Sequence, residues 1–331
     1  MNEGSPVTRR LVVSIVNYRT PGLVCECVAS LKRHFPVGVA LEIAVVENGS
    51  GDDSLARIRA AHPDIRLVTS GANLGFAGGN NLVLKDCSAD YVMLLNSDAT
   101  VEAGTLEHLI GVLDADHRIG AVGARIVNAD DGSDQDYPYR FPSLAAMVAR
   151  AMIGAQHPAA GRHDPIPLER LHGAGMMLRG SLLRTVGLLD DGFFMYDEDV
   201  DWCTRAAASG WLLCLDPQAR VLHHGGASTG RRPSGRRPSV EAGSAALRMQ
   251  VELRKSRYRL YRKHRSVGEL CALKLVTDLA VAMQVMRAAA LWLLQPEQRP
   301  AAAALLGSSL RIMGLNPFAP VAALARSALD N

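Results

Sequence analysis

Four short apolar, β-branched runs in the first hundred residues constrain this chain most, because each is followed by a stretch with apolar residues at helical spacing. "RLVVSIVNY" leads to "PGLVCECVASLKRHF", and "ALEIAVVENGS" to "DSLARIRAAHP". "IRLVTS" leads to "GGNNLVLKDC", and "YVMLLNSDA" to "TLEHLIGVLDAD". Strand–helix alternation with such short links predicts an α/β fold, with a mostly parallel central sheet covered by helices on both faces. Open sheets of this kind bind ligands beyond the carboxyl ends of their strands. Those ends read "VNYRT", "VENGSGD", "NLGFAGGNN" and "LLNSDAT": all are polar, and their convergence says more than any one of them.

Beyond about Asp130 the pattern weakens. "NADDGSDQDYPYRFPS" and "GAQHPAAGRHDPIP" are rich in Pro, Gly and Asp and read as loops. Regular structure is expected to resume at "LHGAGMML" and to run through "VLHHGGAST". "TGRRPSGRRPS" is low-complexity and basic, and "ALRMQVELRKSRYRLYRKHR" reads as a basic helix. Residues 267–295 and 301–327 read as further apolar helices. The expected organisation is an α/β region over 1–228, in two halves that meet at 127/128. A basic linker and helix over 229–265 and apolar helices over 266–331 follow.

At 331 residues and 48% hydrophobic, the chain can bury a sizeable core. Its net charge of +3 hides an asymmetry: residues 229–265 hold twelve Arg/Lys against two Glu, a local +10. That segment suits an anionic surface such as lipid headgroups or nucleic acid. It carries no helix-turn-helix, zinc or RNA-recognition signature, so nucleic acid is not the expected partner. Six scattered cysteines without zinc spacing read as reduced thiols in the cytoplasm. The first residues lack the apolar core of a signal peptide, and no window of ~18 or more residues is free of charge, so no membrane span is expected.

Each polar stretch has two readings. Asp98, just past a strand, suits a divalent cation that meets a diphosphate, or an N-cap together with Thr100. Glu47 and Asn48 suit a base or ribose, or simply the N-G turn that follows the strand. The glycines of "NLGFAGGNN" let backbone N–H groups approach an anion, though no Rossmann or Walker pattern is present. "HGAGMML" admits a substrate close to the backbone, or tight packing. "VLHH" delivers two histidines to a strand end, where an imidazole is either structural or a metal ligand.

The densest acid cluster is "FFMYDEDVDW", residues 193–202. Val200, Cys203 and Ala207 mark an apolar helical stripe ending at Gly210, and Asp201 and Arg205 fall one turn apart, as an ion pair would. Asp197, Glu198 and Asp199 stand at the helix start, where the dipole favours carboxylates by ~0.3–1 kcal/mol each. A carboxylate held there beside aromatic groups also suits a general base.

In this order, "VSIVNY", "VVENGSGD", "NLGFAGGNN", "LLNSDA", "GAGMMLRG" with "VGLLDDGFFMYDEDVDWCTR", and "VLHHGGAST" resemble glycosyltransferase family 2. This is the inverting nucleotide-sugar group of GT-A fold, and the likeness is to its bacterial rhamnosyltransferase branch. The resemblance spans Leu11 to Arg265, and it implies a catalytic region over 1–228, with a nucleotide-binding half to 127 and an acceptor half from 128. It implies donor contacts from Asn17, Tyr18, Glu47, Asn48, Asn73, Gly75, Asn80, Asn96, Ser97 and Asp98. It implies acceptor contacts from Gly173, Ala174, Tyr196 and Asp197, with Asp199 as base and Glu198 beside it. Asn96 stands where the first acid of the D-x-D motif would be, which leaves Asp98, with His223, to hold Mg2+ or Mn2+; His224 falls outside the motif frame.

The implied partners are a nucleotide-sugar donor, dTDP-rhamnose first with galactofuranose or another UDP-sugar behind it, and a glycan or polyprenyl-diphosphate-linked acceptor of O-antigen type. Residues 231–265 and the C-terminal helices would then dock reversibly on the inner membrane face, or form a helical bundle packed on the catalytic region or on a second subunit. Two other classes are weighed. A nucleotidyltransferase needs a glycine- and basic-rich signature near the first strand, where this chain has "VNYRTPGLV". An inactive sugar-nucleotide scaffold would not need Asp98, Asp199 and His223 together.

Overall fold

The computed structural model describes residues 9–153, 162–225 and 240–319. In chain order the first part holds β1 (Arg9–Asn17), α1 (Pro21–Arg33), β2 (Val39–Glu47), α2 (Ser54–Ala61), β3 (Arg66–Thr69), α3 (Gly75–Leu84), β4 (Tyr91–Asn96), β5 (Ala99–Val101) and α4 (Thr105–Ala115). Then come β6 (Ile119–Asn128), α5 (Leu144–Ile153), β7 (Ile166–Pro167), β8 (Gly175–Arg179), α6 (Leu182–Thr185), α7 (Glu198–Ala208) and β9 (Leu212–His223). The C-terminal helices are α8 (Val240–His264), α9 (Val267–Leu294) and α10 (Arg299–Met313). "TGRRPSGRRPS" and "GAQHPAAG" lie outside the described residues, as do residues 320–327 of the last expected helix.

One sheet runs β3-β2-β1-β4-β8-β6-β9-β5, with β7 on the side of β9. β1 to β4 are parallel, and so is the long β6–β9 ladder. β8 is antiparallel to both its neighbours. β2 and β4 flank β1 on opposite sides, so the chain reverses its winding there and opens a crevice at the strand ends.

Alternation along the strands feeds two cores. Leu11, Val13 and Ile15 of β1 and Met93 and Leu95 of β4 pack with Val24, Val28 and Leu31 of α1 and Leu106 and Leu109 of α4. On the other face Val12 packs with Val83 of α3, while Val92 and Leu94 pack with Trp202, Cys203 and Ala206 of α7. The α7 stripe thus runs through Ala206, and Ala207 is exposed, a one-residue correction that follows from Trp202 sharing the buried face. Asp98 and Thr100 are not helix caps: Ala99–Val101 pair with β9, and α4 starts only at Thr105.

The expected loop after Asp130 contains α5, whose apolar run LAAMVARAMI sits between the two quoted loop stretches. Among the described residues the last helix stops at Met313, short of the expected 327, and the Asn316–Pro317 step that follows does not continue it.

The chain divides into two compact units: Met1–Asp191 with Asp199–Gly225, and Gly192–Glu198 with Gly226–Asn331. In the second, Ser266 and Glu269 form a capping box that starts α9. Val251, Val281 and Ile312 make a small core for α8, α9 and α10. Among the described residues, no helix is long and apolar enough to cross a membrane.

Candidate active site

The sheet register itself builds the first half of the site. Between Ala124 and Arg125 the β6–β9 pairing shifts, and β9 then continues so that His223 lies opposite Asn128 on one side and Ala99 on the other. Asp98 immediately precedes Ala99, and its backbone carbonyl accepts from His224 N–H at 3.0 Å. The buried His223 Nε2 therefore comes 3.1 Å from the buried Asp98 Oδ1 and 3.0 Å from Asn96 Nδ2. Ser97, in the same turn, shares a 3.2 Å hydrogen bond with Thr20. In sequence His223 lies 127 residues from Asn96; the structure gathers Asn96, Asp98 and His223.

Asp199 forms the second half. Its Oδ2 accepts from Tyr137 O–H at 2.7 Å and from Gly173 N–H at 3.2 Å, and its Oδ1 accepts from Val200 N–H at 2.8 Å. Arg170 lies 3.8 Å from Asp199 and donates to the Tyr137 oxygen at 2.9 and 2.6 Å. The hydroxyl has one proton, and the close carboxylate takes it. Burial pushes the Tyr137 hydroxyl well above its usual range, so it stays a donor. Ala174 N–H donates to His172 Nδ1 at 3.0 Å, and its carbonyl accepts from Asn96 N–H at 3.3 Å. Gly173 and Ala174 thus hold the framework through their backbones.

His172 joins the two halves. Its ring lies 5.8 Å from that of His223 and 4.1 Å from that of Tyr137. Burial, then the proximity of His223 and Arg170, keeps the His172 pKa well below 6.5. Tyr137, Arg170 and His172 were not singled out by sequence reasoning. Their only signal is that aromatic and basic residues interrupt "DQDYPYR" and "LERLH", stretches otherwise consistent with loop and turn.

The expected donor loops are tied to one another. Asn48 donates to Asn73 Oδ1 and to Gly75 O, both at 3.1 Å, and accepts from Leu74 N–H at 3.0 Å. It fastens the glycine loop to the end of β2. Asn17 accepts from Thr20 N–H and O–H at 3.3 and 3.2 Å, and Glu47 accepts from Ser50 N–H at 2.8 Å. Asn80 is fully buried, accepting from Ser14 at 2.7 Å and donating to Phe76 O at 2.9 Å, so its amide locks α3 onto β1. Tyr18 is partly exposed, with Arg19 over its ring at 5.1 Å.

The acids of "FFMYDEDVDW" have separate employments. Asp201 is fully buried and accepts from Arg205 at 2.9 Å, as the spacing predicts; Arg205 also donates to the carbonyls of Val186 and Leu188. Asp197 belongs to the second unit, where Arg257 of α8 grips it at 2.6 and 3.1 Å. In that unit Ser256 donates to Met195 O at 2.8 Å, and Arg259 stacks over Phe193 at 5.1 Å. Tyr196 and Asp197 take left-handed backbone angles, φ 71° and 62°, a strained pair for non-glycine residues. Glu198 opens α7 and is buried.

A divalent cation fits the Asp98–His223 pair. Two ligand atoms 3.1 Å apart match neighbouring positions on an ion with bonds of about 2.1 Å. Among the described residues no third His, Cys, Asp or Glu joins them, as suits an ion that takes its other ligands from water and a diphosphate.

Comparison with known proteins gives the fold and the family. The profile of glycosyl transferase family 2 matches residues 12–205. Among similar proteins is the N-acetylglucosaminyl-diphospho-decaprenol L-rhamnosyltransferase of Mycobacterium tuberculosis, 32% identical over 62% of this chain and 72% of that one. The low-salt glycan biosynthesis hexosyltransferase Agl10 of Haloferax volcanii is 28% identical over 59% and 61%. The rhamnosyltransferase WbbL of Escherichia coli is 26% identical over 47% and 62%.

Solved structures of similar fold include GalNAc-T7 with UDP, GalNAc and Mn2+, at TM-score 0.55 and 14% identity, covering 76% of this chain and half of that one. Another is the mannosyltransferase PcManGT of Pyrobaculum calidifontis with GDP-Man and Mn2+, at TM-score 0.53 and 19% identity, covering 94% and 89%. The fold is that of GT-A glycosyltransferases, and the chain belongs to glycosyl transferase family 2.

Proposed function

We propose that this glycosyltransferase moves a hexose, L-rhamnose from dTDP-rhamnose, with inversion onto a lipid-linked glycan acceptor for a cell-surface polysaccharide. The carrying observation is the unbroken file of side chains Asp98, His223, His172, Tyr137 and Asp199 at the carboxyl edge of the sheet. It provides an acceptor pair for a cation at one end and a hydrogen-bonded carboxylate at the other. The rhamnosyltransferase relatives support the sugar, and the decaprenol-linked one supports the acceptor class.

Asp199 takes the proton of the acceptor hydroxyl. Its two oxygens accept three hydrogen bonds within the protein and keep lone pairs for a fourth. The freed oxygen attacks the anomeric carbon as the bond to the diphosphate breaks on the opposite face, so the configuration inverts. Asp98 and His223 would hold Mg2+ or Mn2+, which would supply charge neutralisation for the departing diphosphate. The backbone turns fastened by Asn48 and Asn73 would receive the nucleotide, with Glu47 meeting the base. The enzyme works in the cytoplasm, peripherally at the inner membrane face, where its acceptor lies.

The test is thermal-shift binding of dTDP, UDP and GDP with and without Mn2+. A metal-dependent rise in melting temperature with dTDP above UDP is expected. Preference for UDP would replace the donor, and no shift with any nucleotide would sink the donor-site reading.

A further inference from the structure

Gln135 brackets His223 with both ends of its amide. Its Nε2 donates to the backbone carbonyl of His223 at 2.8 Å, and its Oε1 lies 2.8 Å from the imidazole Nδ1. The first contact fixes the amide, because a carbonyl can only accept. With Nε2 committed to that carbonyl, the atom facing the ring is the amide oxygen, also an acceptor. In the neutral ring Nδ1 then carries the one proton, and Nε2 keeps its lone pair. We infer that Gln135 is a positioning residue that holds His223 in the Nδ1–H tautomer and so keeps a bare Nε2 aimed beside Asp98.

The surroundings agree with that assignment. Asn96 Nδ2–H, 3.0 Å away, can donate to a bare Nε2. Asp98 Oδ1 then faces the same nitrogen lone pair at 3.1 Å, an arrangement of two acceptors that a cation between them would relieve. In the other tautomer Nε2–H would donate to Asp98, and neither atom would be open to an ion without breaking that bond.

Gln135 is held for the task. Its own N–H donates to Ile126 O at 3.0 Å, Asp134 pairs with Val127 in an isolated bridge, and Arg125 grips Asp134 at 2.5 and 3.0 Å. The neighbouring Gly225 has φ 64°, and a Cβ there would stand 3.3 Å from Gln135 Nε2.

The inference rests on the reading of His223 as a cation ligand, and its test separates the two. Long-range 15N–1H correlation of the imidazoles in the metal-free full chain, with a His223→Gln variant for assignment, reads the tautomer directly. Mn2+ affinity, titrated with the metal alone by electron paramagnetic resonance, reads the consequence. The expected wild-type result is a proton on Nδ1 and none on Nε2. In Gln135→Met the proton should move to Nε2, and Mn2+ affinity should fall ~10- to 100-fold. Gln135→Glu, which keeps an acceptor for Nδ1–H but loses the donor to the backbone, should bind Mn2+ close to wild type; a merely structural Gln135 would not separate these two variants.

A proton on wild-type Nε2, or a Gln135→Met protein that keeps Nε2 bare, overturns the inference. A correct tautomer in a wild-type protein that binds no Mn2+ upholds it and sinks the cation reading instead.

Discussion

At the residue scale, the carboxylate of Asp199 is held by neighbours that arrive from distant parts of the chain. Asp199→Asn should lower turnover by about 10²- to 10⁴-fold while leaving the nucleotide-induced thermal shift in place. Tyr137→Phe removes the 2.7 Å hydrogen bond to Asp199 but leaves the ring stacked under Arg170. It should lower kcat by about tenfold at unchanged donor KM, measured by initial rates; an equal fall in donor affinity would show that Tyr137 serves the nucleotide instead. His172 gives a stability signature. Its pKa is depressed in the folded chain, so below pH 6.5 the unfolded chain binds more protons. Stability is then full above that value and lost as pH falls towards the folded pKa. Urea midpoints across about pH 5–8 should show the slope, and His172→Asn should flatten it.

The candidate residues that sequence could name stand at the ends of elements: Asp98 just after β4, His223 at the end of β9 and Asp199 in the first turn of α7. It could not name Tyr137, Arg170 or Gln135. Their roles come from hydrogen bonds to residues 62, 33 and 88 positions away, and their local stretches read as loops. It also could not separate Asn48 and Asn80, whose amides are spent inside the fold, from asparagines that touch a ligand.

At the scale of elements, the parallel half was legible because β1 to β4 are apolar runs with helical stretches between them. β6 and β5 were less so: β5 is three residues long and owes its existence to β9. The turn after β2 tests this scale. Gly49 has φ 69°, and a Cβ on it would lie 2.5 Å from the Ala72 carbonyl carbon. Gly49→Ala should cost about 2 kcal/mol or more in chemical denaturation and weaken nucleotide binding, because the β2 turn and the glycine loop touch there. In α7, Asp201 is a fully buried anion held by Arg205. Asp201→Ala should cost about 3 kcal/mol, since it leaves the guanidinium without its carboxylate. A loss under 1 kcal/mol would mean that the Val186 and Leu188 carbonyls suffice to hold Arg205.

For the whole molecule, the sequence offers a tempting cut near residue 228, where the apolar pattern gives way to "TGRRPSGRRPS". The chain is less separable than that. The second unit includes Gly192–Glu198, and within it Asp197 is gripped by Arg257, 60 residues later. A protein ending at Gly225 would keep the strip and lose its partners in α8. Its melting temperature should fall below that of the full chain, and the strip should become a site of rapid proteolysis. Equal melting and equal protease resistance would show that the strip needs no α8.

That same grip sets an order of events on the ribosome. At about 5–20 residues per second, Arg257 is made some 3–12 s after Asp197. Through that interval the two left-handed residues at the threshold of α7 have no guanidinium to secure them. Slow codons between the strip and α8 would lengthen the wait, and a chaperone that recognises exposed aromatic segments would find Phe193 during it.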